Sequence, residues 1–320
     1  MSRAFLFPGQ GSQAVGMGRS LAEAFVRARQ TFEEVDDALS QRLSRLMWEG
    51  PESDLTLTEN AQPAIMAASM AVLRVLQDDC GLDVARHARV VAGHSLGEYT
   101  ALAAAGAFSL ADAARLLRTR GRAMQAAVPV GEGAMSALLG ADPELAEAAA
   151  REAVEAALPG EANPVCVVAN DNAPGQVVIS GTAAAVARAG EIARARGAKR
   201  AMPLAVSAPF HCPLMKPAAD AMAEALAAVT IRPPAVPLIA NVTAAEVSEP
   251  ERIRRLLVEQ VTGRVRWRET ILALKGLGIA ETVEFGGNKV LTGMVKRTEK
   301  DISPITLDSP ADIEAFAKSL

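Results

Sequence analysis

The sequence has few cysteines, and none of them lies in a metal-binding or redox pattern. Cys80, Cys166 and Cys212 are the three cysteines in 320 residues, and no two of them have Cys-x-x-Cys spacing. An odd number without that spacing predicts neither a disulfide framework nor a zinc site, and it is typical of a reducing compartment. We therefore expect a cytoplasmic protein.

Aromatic residues, net positive charge and long apolar runs are also scarce. Phe, Trp and Tyr make up 3% of the chain, which disfavours the stacking platforms of single-strand nucleic-acid binders. Lys and Arg number 33 against 37 Asp and Glu, a net charge of −4, so neither nucleic acid nor an anionic membrane is an expected partner. No apolar run reaches the ~18 residues of a membrane span, and residues 4–7 are too short a run for a signal peptide.

The chain is rich in the residues that build a packed core. Half of it is hydrophobic and 22% is charged, which is a globular balance. At roughly 100–200 residues per domain, the length allows one large domain or two.

Strand and helix signals alternate, which predicts an α/β fold. A strand over residues 4–7 ends in a Pro-Gly loop, and one helix is expected from about Val15 to Leu39. A strand over 89–93 leads through a tight turn into a helix over 98–105. Further strands are expected over Pro237–Val242 and residues 281–285.

The middle of the chain has a different order of elements. Residues 133–206 read as strand, helix, two strands, helix and a last strand over Arg200–Val206, which is a ferredoxin-like βαββαβ unit. We therefore expect a large, discontinuous α/β domain over residues 1–130 and 207–320, and a ferredoxin-like small subdomain over residues 131–206.

Gly93-His94-Ser95-Leu96-Gly97 matches the G-x-S-x-G pattern of a nucleophile elbow. Small residues on both sides let the strand turn sharply into the helix, and the turn exposes the serine hydroxyl. The start of the helix supplies amide donors for a developing oxyanion. Because a predicted strand precedes the motif and a helix follows it, we interpret Ser95 as a nucleophile.

A serine nucleophile needs a base, and the chain has only three histidines. Neighbouring strand residues point to opposite faces, so His94 is not expected to reach the Ser95 hydroxyl. His87 precedes the elbow strand at its far end. His211, in a segment stiffened by prolines, is left as the predicted base.

The residue that orients this histidine is left open by the pattern. Between the elbow and His211, no acidic residue follows a strand of the large domain, since Asp171 belongs to the insert. A carboxylate is thus one alternative, and a backbone or amide carbonyl that makes a Ser–His dyad is the other.

One helix after the elbow carries three arginines. Arg120 lies on its apolar face, whereas we interpret Arg118 and Arg122 as solvated. Cys212, beside His211, is interpreted as a buried, inert thiol.

Four motifs together resemble the malonyl-CoA:acyl carrier protein transacylase family. They are Phe7-Pro8-Gly9-Gln10-Gly11-Ser12-Gln13, Gly93-His94-Ser95-Leu96-Gly97-Glu98-Tyr99, Arg120-Gly121 and Ser207-Ala208-Pro209-Phe210-His211, in the family's order. The resemblance implies a hydrolase-like core with a parallel sheet and an inserted ferredoxin-like subdomain.

The resemblance also implies a role for individual residues. Ser95 would be acylated and His211 would be its base. The backbone amides of Gln10 and Leu96 would form the oxyanion hole. Arg120 would bind the malonyl carboxylate. The backbone carbonyl of a further residue, Gln260, would orient the histidine.

The implied reaction is ping-pong transfer of malonyl from malonyl-CoA to the phosphopantetheine thiol of acyl carrier protein, for fatty-acid biosynthesis. It implies two partners, malonyl-CoA and holo-acyl carrier protein, and no metal or redox cofactor. We expect a monomer. A serine thioesterase or esterase, a malonyl acyltransferase that serves a polyketide synthase, and a silent binding module are the alternatives.

Overall fold

The computed structural model describes residues 2–161 and 163–320. Within these residues ten strands are present: β1 (Arg3–Phe7), β2 (Val90–Gly93), β3 (Gly133–Leu139), β4 (Cys166–Ala173), β5 (Gln176–Thr182), β6 (Arg200–Pro203), β7 (Leu238–Ile239), β8 (Glu246–Val247), β9 (Glu281–Phe285) and β10 (Ser303–Leu307). They form a six-stranded sheet in the order β10-β9-β1-β2-β7-β8 and a four-stranded sheet in the order β4-β5-β3-β6.

The helices surround both sheets. In chain order they are α1 (Arg19–Ala24), α2 (Val26–Leu39), α3 (Leu43–Glu49), α4 (Glu52–Thr56), α5 (Thr58–Cys80), α6 (Val84–His87), α7 (Gly97–Ala104), α8 (Leu110–Ala126), α9 (Pro143–Glu155), α10 (Ala183–Ala195), α11 (Lys216–Ala227), α12 (Pro250–Thr262), α13 (Trp267–Gly276), α14 (Val290–Thr298) and α15 (Pro310–Ala317). A 3₁₀ turn over Pro213–Met215 leads into α11.

The six-stranded sheet is packed on both faces, as parallel sheets are. Side chains alternate along β1, so that Phe5 and Phe7 belong to the core beneath α2, α5, α7 and α8. Ala4 and Leu6 belong to the opposite core, with Trp267 of α13. Only β8 runs antiparallel to its neighbour. The predicted α/β core with a parallel sheet is confirmed.

The register of β1 and β2 places two loops side by side. The strands pair in parallel, with Phe7 opposite Gly93 at their carboxyl ends. The loop over residues 8–13 and the turn over residues 94–96 therefore leave the same edge of the sheet. This edge is where ligands bind in open α/β sheets.

The four-stranded sheet has the ferredoxin-like arrangement that the order of elements predicts. Its neighbouring strands are all antiparallel. Helices α9 and α10 cover one face with small apolar side chains, mainly alanines. This part of the fold prediction is also confirmed.

One strand of the small sheet is attached to the large part of the chain. The backbone N–H of Asp171 donates to the Val265 carbonyl at 3.0 Å, and the N–H of Val265 donates to the Ala169 carbonyl at 2.8 Å. Arg268 forms a 2.8 Å ion pair with the buried carboxylate of Asp171. These contacts fix β4 next to the loop that follows α12.

Some predicted boundaries are wrong. The helix from Val15 to Leu39 is two helices, α1 and α2, because Phe25 is extended (φ −125°, ψ 123°) and packs against the core. The strand over Pro237–Val242 shrinks to Leu238–Ile239, because the chain turns back at Ala240, whose carbonyl accepts from Ala244 N. β6 ends at Pro203.

Helices long and apolar enough to cross a membrane were sought among the described residues, and none was found.

Two helix-interior glycines provide a test of the packing. A Cβ at Gly121 would lie 2.6 Å from the Thr58 carbonyl oxygen, whereas a Cβ at Gly293 would have nothing within 4 Å. We expect Gly121→Ala to lower the free energy of unfolding by about 1–3 kcal/mol through overpacking. Gly293→Ala should raise it by about 0.5–1 kcal/mol, because alanine favours the helix. Urea unfolding measures both, and shifts of the same sign would contradict this account of the α5–α8 contact.

Candidate active site

Ser95 occupies the turn between β2 and α7 in a left-handed backbone conformation, with φ +52°. L-residues other than Asn, Asp and His are uncommon there, so the surroundings must hold the turn in place. The side chain of Asn241 does so. Its Oδ1 accepts from Ser95 N at 2.7 Å, and its Nδ2 donates to the Gly93 carbonyl at 2.7 Å.

The turn also needs the two glycines of the motif. A Cβ at Gly93 would lie 1.9 Å from the Gly97 carbonyl oxygen, and a Cβ at Gly97 would lie 2.2 Å from the Phe7 carbonyl oxygen. The start of α7 therefore packs directly on the end of β1. This contact raises the Ser95 side chain above the edge of the sheet.

The structure brings His211 to Ser95. The two side chains meet with His211 Nε2 at 2.8 Å from Ser95 Oγ. His211 Nδ1 lies 2.9 Å from the Gln260 carbonyl oxygen and 3.1 Å from the Gly263 carbonyl oxygen. Because carbonyls only accept, Nδ1 carries the proton and Nε2 is the acceptor for the serine hydroxyl. His211 is therefore oriented by carbonyls.

The protonation state of His211 follows from its surroundings. The side chain of His211 is buried. Its backbone, like that of Ser95, is left-handed, with φ +57°. Burial, and next the positive charge of Arg120, lower the pKa of His211 to about 3. The imidazole is therefore neutral, and able to accept a proton, at any physiological pH.

Arg120 extends from α8 into the same site and is 1% exposed. Its Nη2 donates to Ser95 Oγ at 3.0 Å and to Gln260 Oε1 at 2.8 Å, and its Nη1 donates to Gln62 Oε1 at 2.8 Å. The Tyr99 ring lies 5.7 Å from the guanidinium carbon. All of these partners are neutral. The buried positive charge thus lies beside the Ser95 hydroxyl without a carboxylate in direct contact.

Gln260 joins several of these groups. Its backbone carbonyl contacts His211, and its Nε2 donates to the Ser95 carbonyl at 2.9 Å and to Glu98 Oε2 at 2.8 Å. Burial raises the pKa of Glu98 to about 7, although the hydrogen bonds from Gln260 Nε2 and from the Asn241 backbone N–H, and the charge of Arg120, oppose the shift.

The remaining two predicted residues lie where the loop after β1 meets the start of α7. Gln10 Nε2 donates to Thr58 Oγ1 at 3.1 Å, and Leu96 is buried. Within residues 2–161 and 163–320, the backbone N–H groups of Gln10 and Leu96 have no protein acceptor. Two amide donors are therefore available for a ligand.

A pocket of about 310 Å³ opens above these groups. One side of it is formed by the large part of the chain, including Gln10, Ser95 and Arg120. Residues of the small sheet, among them Asn170 and Asn172, form another side. The pocket thus lies where the large part of the chain meets the small sheet.

The other candidates from the sequence take different places. His94 Nε2 contacts Asn172 Oδ1 at 2.8 Å rather than Ser95. Asp171, the acid considered for the histidine, pairs with Arg268. Burial raises the pKa of the Cys212 thiol, as expected for an inert cysteine. The interpretation of Arg118 as solvated is wrong, since it is buried beside Glu59.

Sequence reasoning missed four groups of the site. They are the side chains of Gln62, Glu98 and Asn241 and the carbonyl of Gly263. Of these four, only Glu98 is indicated by the sequence. It directly follows the elbow motif and is the one charged residue of an otherwise apolar helix, where a carboxylate is not expected without a partner.

Comparison with known proteins agrees with this geometry. The family model described as acyl transferase domain matches residues 4–310. The malonyl CoA-acyl carrier protein transacylase of Bacillus subtilis (strain 168) is 46% identical over 317 residues, 99% of this chain and 96% of that protein. The Escherichia coli (strain K12) protein of the same name is 44% identical over 313 residues, 98% of this chain and 97% of its own.

Solved structures show the same similarity. An acyl-carrier-protein-S-malonyltransferase from Bartonella henselae superposes with a TM-score of 0.95 at 56% identity, and the match covers 100% of this chain and 99% of that one. A malonyl-transacylase in complex with its type II PKS acyl-carrier protein gives a TM-score of 0.94 at 41% identity, with 100% of both chains covered. The chain therefore belongs to the acyl transferase family and, within it, to the malonyl-CoA:acyl carrier protein transacylases.

Proposed function

We propose that this enzyme transfers the malonyl group of malonyl-CoA to the phosphopantetheine thiol of acyl carrier protein through a malonyl ester on Ser95. The observation that carries the proposal is the position of Arg120. Its buried guanidinium lies 3.0 Å from the hydroxyl that attacks the thioester. The malonyl carboxylate is two bonds from the reacting carbonyl, so it can reach Arg120 while the carbonyl lies at Ser95 Oγ. A neutral acyl group would leave the charge of Arg120 unpaired.

In the first half-reaction, Ser95 Oγ attacks the thioester carbonyl while His211 Nε2 takes its proton. The tetrahedral intermediate then collapses, the C–S bond breaks, and the proton on His211 passes to the leaving thiolate of CoA. The carbonyls of Gln260 and Gly263 accept from His211 Nδ1 throughout. They stabilise the imidazolium as it forms, which is the part that an aspartate has in a triad.

The free amides of Gln10 and Leu96 are our proposed oxyanion hole. Both N–H groups belong to the edge of the sheet from which Ser95 projects. Backbone donors of this kind need no reorganisation when negative charge develops on the carbonyl oxygen, which is why they lower the barrier.

Arg120 provides the selectivity for malonyl. A guanidinium has five N–H donors, and Gln62, Ser95 and Gln260 use three of them. The Nε–H has no partner among the described residues. A planar guanidinium binds a carboxylate through two parallel charge-assisted hydrogen bonds from one edge, so the malonyl carboxylate would take the place of a neutral acceptor such as Ser95 Oγ on Nη2.

The second half-reaction repeats these steps with a different thiol. The phosphopantetheine thiol of acyl carrier protein gives its proton to His211 and attacks the malonyl ester. The C–O bond then breaks as His211 returns this proton to Ser95 Oγ, which restores the free enzyme. Neither half-reaction requires a metal or redox cofactor in this proposal.

A similar structure contains the acyl-carrier protein of a type II PKS. Service to a polyketide synthase therefore stays an alternative to fatty-acid biosynthesis.

We also propose the domain division of residues 1–130 and 207–320 against 131–206, although residues 1 and 162 lie outside the described part. Its support is that β3 to β6 form their own sheet, with a separate apolar core beneath α9 and α10. The cytoplasmic location and the monomeric state stay predictions.

Substitution of Arg120 tests the proposed function. We expect Arg120→Ala to lower kcat/KM for malonyl transfer to holo-acyl carrier protein by about 10²–10³-fold, because a charge-assisted bidentate contact is lost. Transfer of acetyl should rise relative to malonyl, since no buried charge is then left unpaired. Both rates are measured with the same carrier protein.

Arg122→Ala is the matched control. Arg122 lies on the same helix but is exposed and pairs with Glu59 at the surface. It should change neither rate by more than about twofold. An unchanged malonyl-to-acetyl ratio in Arg120→Ala would disprove the role of Arg120.

The pH profile tests His211 as the base. The pKa near 3 in the free enzyme is set first by burial, which persists when a malonyl carboxylate offsets the charge of Arg120. The imidazole therefore stays neutral at pH 5, whereas an ordinary histidine of pKa ~6.5 would be ~3% neutral there. We expect the single-turnover rate of Ser95 acylation, at saturating malonyl-CoA, to be nearly constant from pH 7 to pH 5 and to fall only at lower pH. Circular dichroism at each pH shows that the protein is folded. A decline centred near pH 6.5 would contradict this assignment.

A further inference from the structure

Glu98 is a buried carboxyl group that the reaction described above does not use. It lies in the first turn of α7, three residues after the nucleophile, and is 1% exposed. Its Oε2 accepts from Gln260 Nε2 at 2.8 Å and from the backbone N–H of Asn241 at 3.2 Å. An ionised carboxylate at such a position is costly unless a positive charge compensates for it.

The compensating charge is Arg120, and it acts through the side-chain amide of Gln260. A guanidinium can only donate and an ionised carboxylate can only accept, so the amide has one possible orientation. Its Oε1 accepts from Arg120 Nη2 at 2.8 Å, and its Nε2 donates to Glu98 Oε2. One neutral amide thus connects two buried, opposite charges.

The arrival of a substrate carboxylate changes the charge balance of the site. In the free enzyme the charges of Arg120 and of an ionised Glu98 sum to zero. The titratable groups around them are neutral, namely His211, Tyr99 and His94. The malonyl carboxylate adds a second negative charge beside one positive charge. In a buried site, like charges of this kind favour protonation of the weaker acid.

We propose that Glu98 balances the charge of Arg120 in the free enzyme and takes up a proton from solvent when the malonyl carboxylate reaches Arg120. The inference rests on the proposed function. Burial has already raised the pKa of Glu98 to about 7, so a modest further rise is enough for uptake near neutral pH. The proton returns to solvent when malonyl leaves with the carrier protein.

This proton makes Glu98 a positioning residue for malonyl rather than a catalytic residue. Protonation releases Arg120 from its long-range partner, so that its whole charge acts on the malonyl carboxylate. An acyl group without a carboxylate leaves the Arg120–Glu98 balance intact. The binding of malonyl, but not of CoA, is therefore coupled to pH.

Proton uptake during acylation tests the inference directly. The wild-type enzyme is mixed at pH 8, in weak buffer with a pH indicator, with malonyl-CoA and without carrier protein. Exchange of a thioester for an ester and a protonated thiol leaves the proton count unchanged. The released CoA thiol ionises in part at pH 8, so the protons it gives off are determined with CoA alone and subtracted, and any remaining uptake comes from the site. We expect up to one proton per malonyl ester, with the ester counted by intact mass, and no uptake with CoA alone.

Glu98→Gln removes the charge and keeps the size of the side chain. We expect it to form the ester without uptake, and its half-saturating malonyl-CoA concentration should not depend on pH between 7 and 9. In the wild type that concentration should rise by up to about tenfold per pH unit above the pKa of Glu98. His211 is unchanged in the variant, so uptake that persists there would overturn the proposal.

The wild type alone also decides the matter if Glu98→Gln does not fold. Uptake should shrink as the pH falls from 8 to 6, because Glu98, with a pKa of about 7, becomes protonated in the free enzyme over this range. Uptake that grows towards low pH would identify His211 as the acceptor and refute the role of Glu98. Ester formation without uptake at pH 8 would refute it as well, whereas absence of the ester would refute the proposed function itself.

Discussion

The burial of the Arg120 charge is the constraint on which the rest of the site depends. The guanidinium is 1% exposed, and three elements besides its own helix contribute acceptors for three of its five N–H donors. Gln62 comes from α5, Ser95 from the elbow and Gln260 from α12. Because all three are neutral, the positive charge keeps its capacity to bind a carboxylate, and the proposed selectivity for malonyl depends on that capacity.

The same network holds two strained residues in place. Ser95 and His211 both have a positive φ, a conformation that costs free energy unless the surroundings impose it. Asn241 fixes the backbone of Ser95, and the carbonyls of Gln260 and Gly263 fix the ring of His211. Strain and burial are thus concentrated where Ser95 Oγ and His211 Nε2 meet at 2.8 Å.

Local patterns predicted much of the fold and the core of the site, because their causes are local. The elbow motif predicted Ser95 as a nucleophile, and the scarcity of histidines predicted His211 as its base. The structure brings the two side chains together. The break at Phe25 has no glycine or proline to signal it, since packing imposes it. The places of Gln62 and Asn241 depend on helix packing and on a turn after a two-residue strand, which no spacing in the sequence reveals.

The central claim is that Ser95 carries the malonyl group between the two thiols. The most direct measurement is the intact mass of the enzyme after mixing with malonyl-CoA, and separately with acetyl-CoA, for the wild type and for Ser95→Ala, together with the CoA released. The account predicts a malonyl adduct on the wild type alone, with little acetyl adduct and CoA released in proportion to the ester. Steady release of CoA without an adduct, or an adduct that persists in Ser95→Ala, would contradict it.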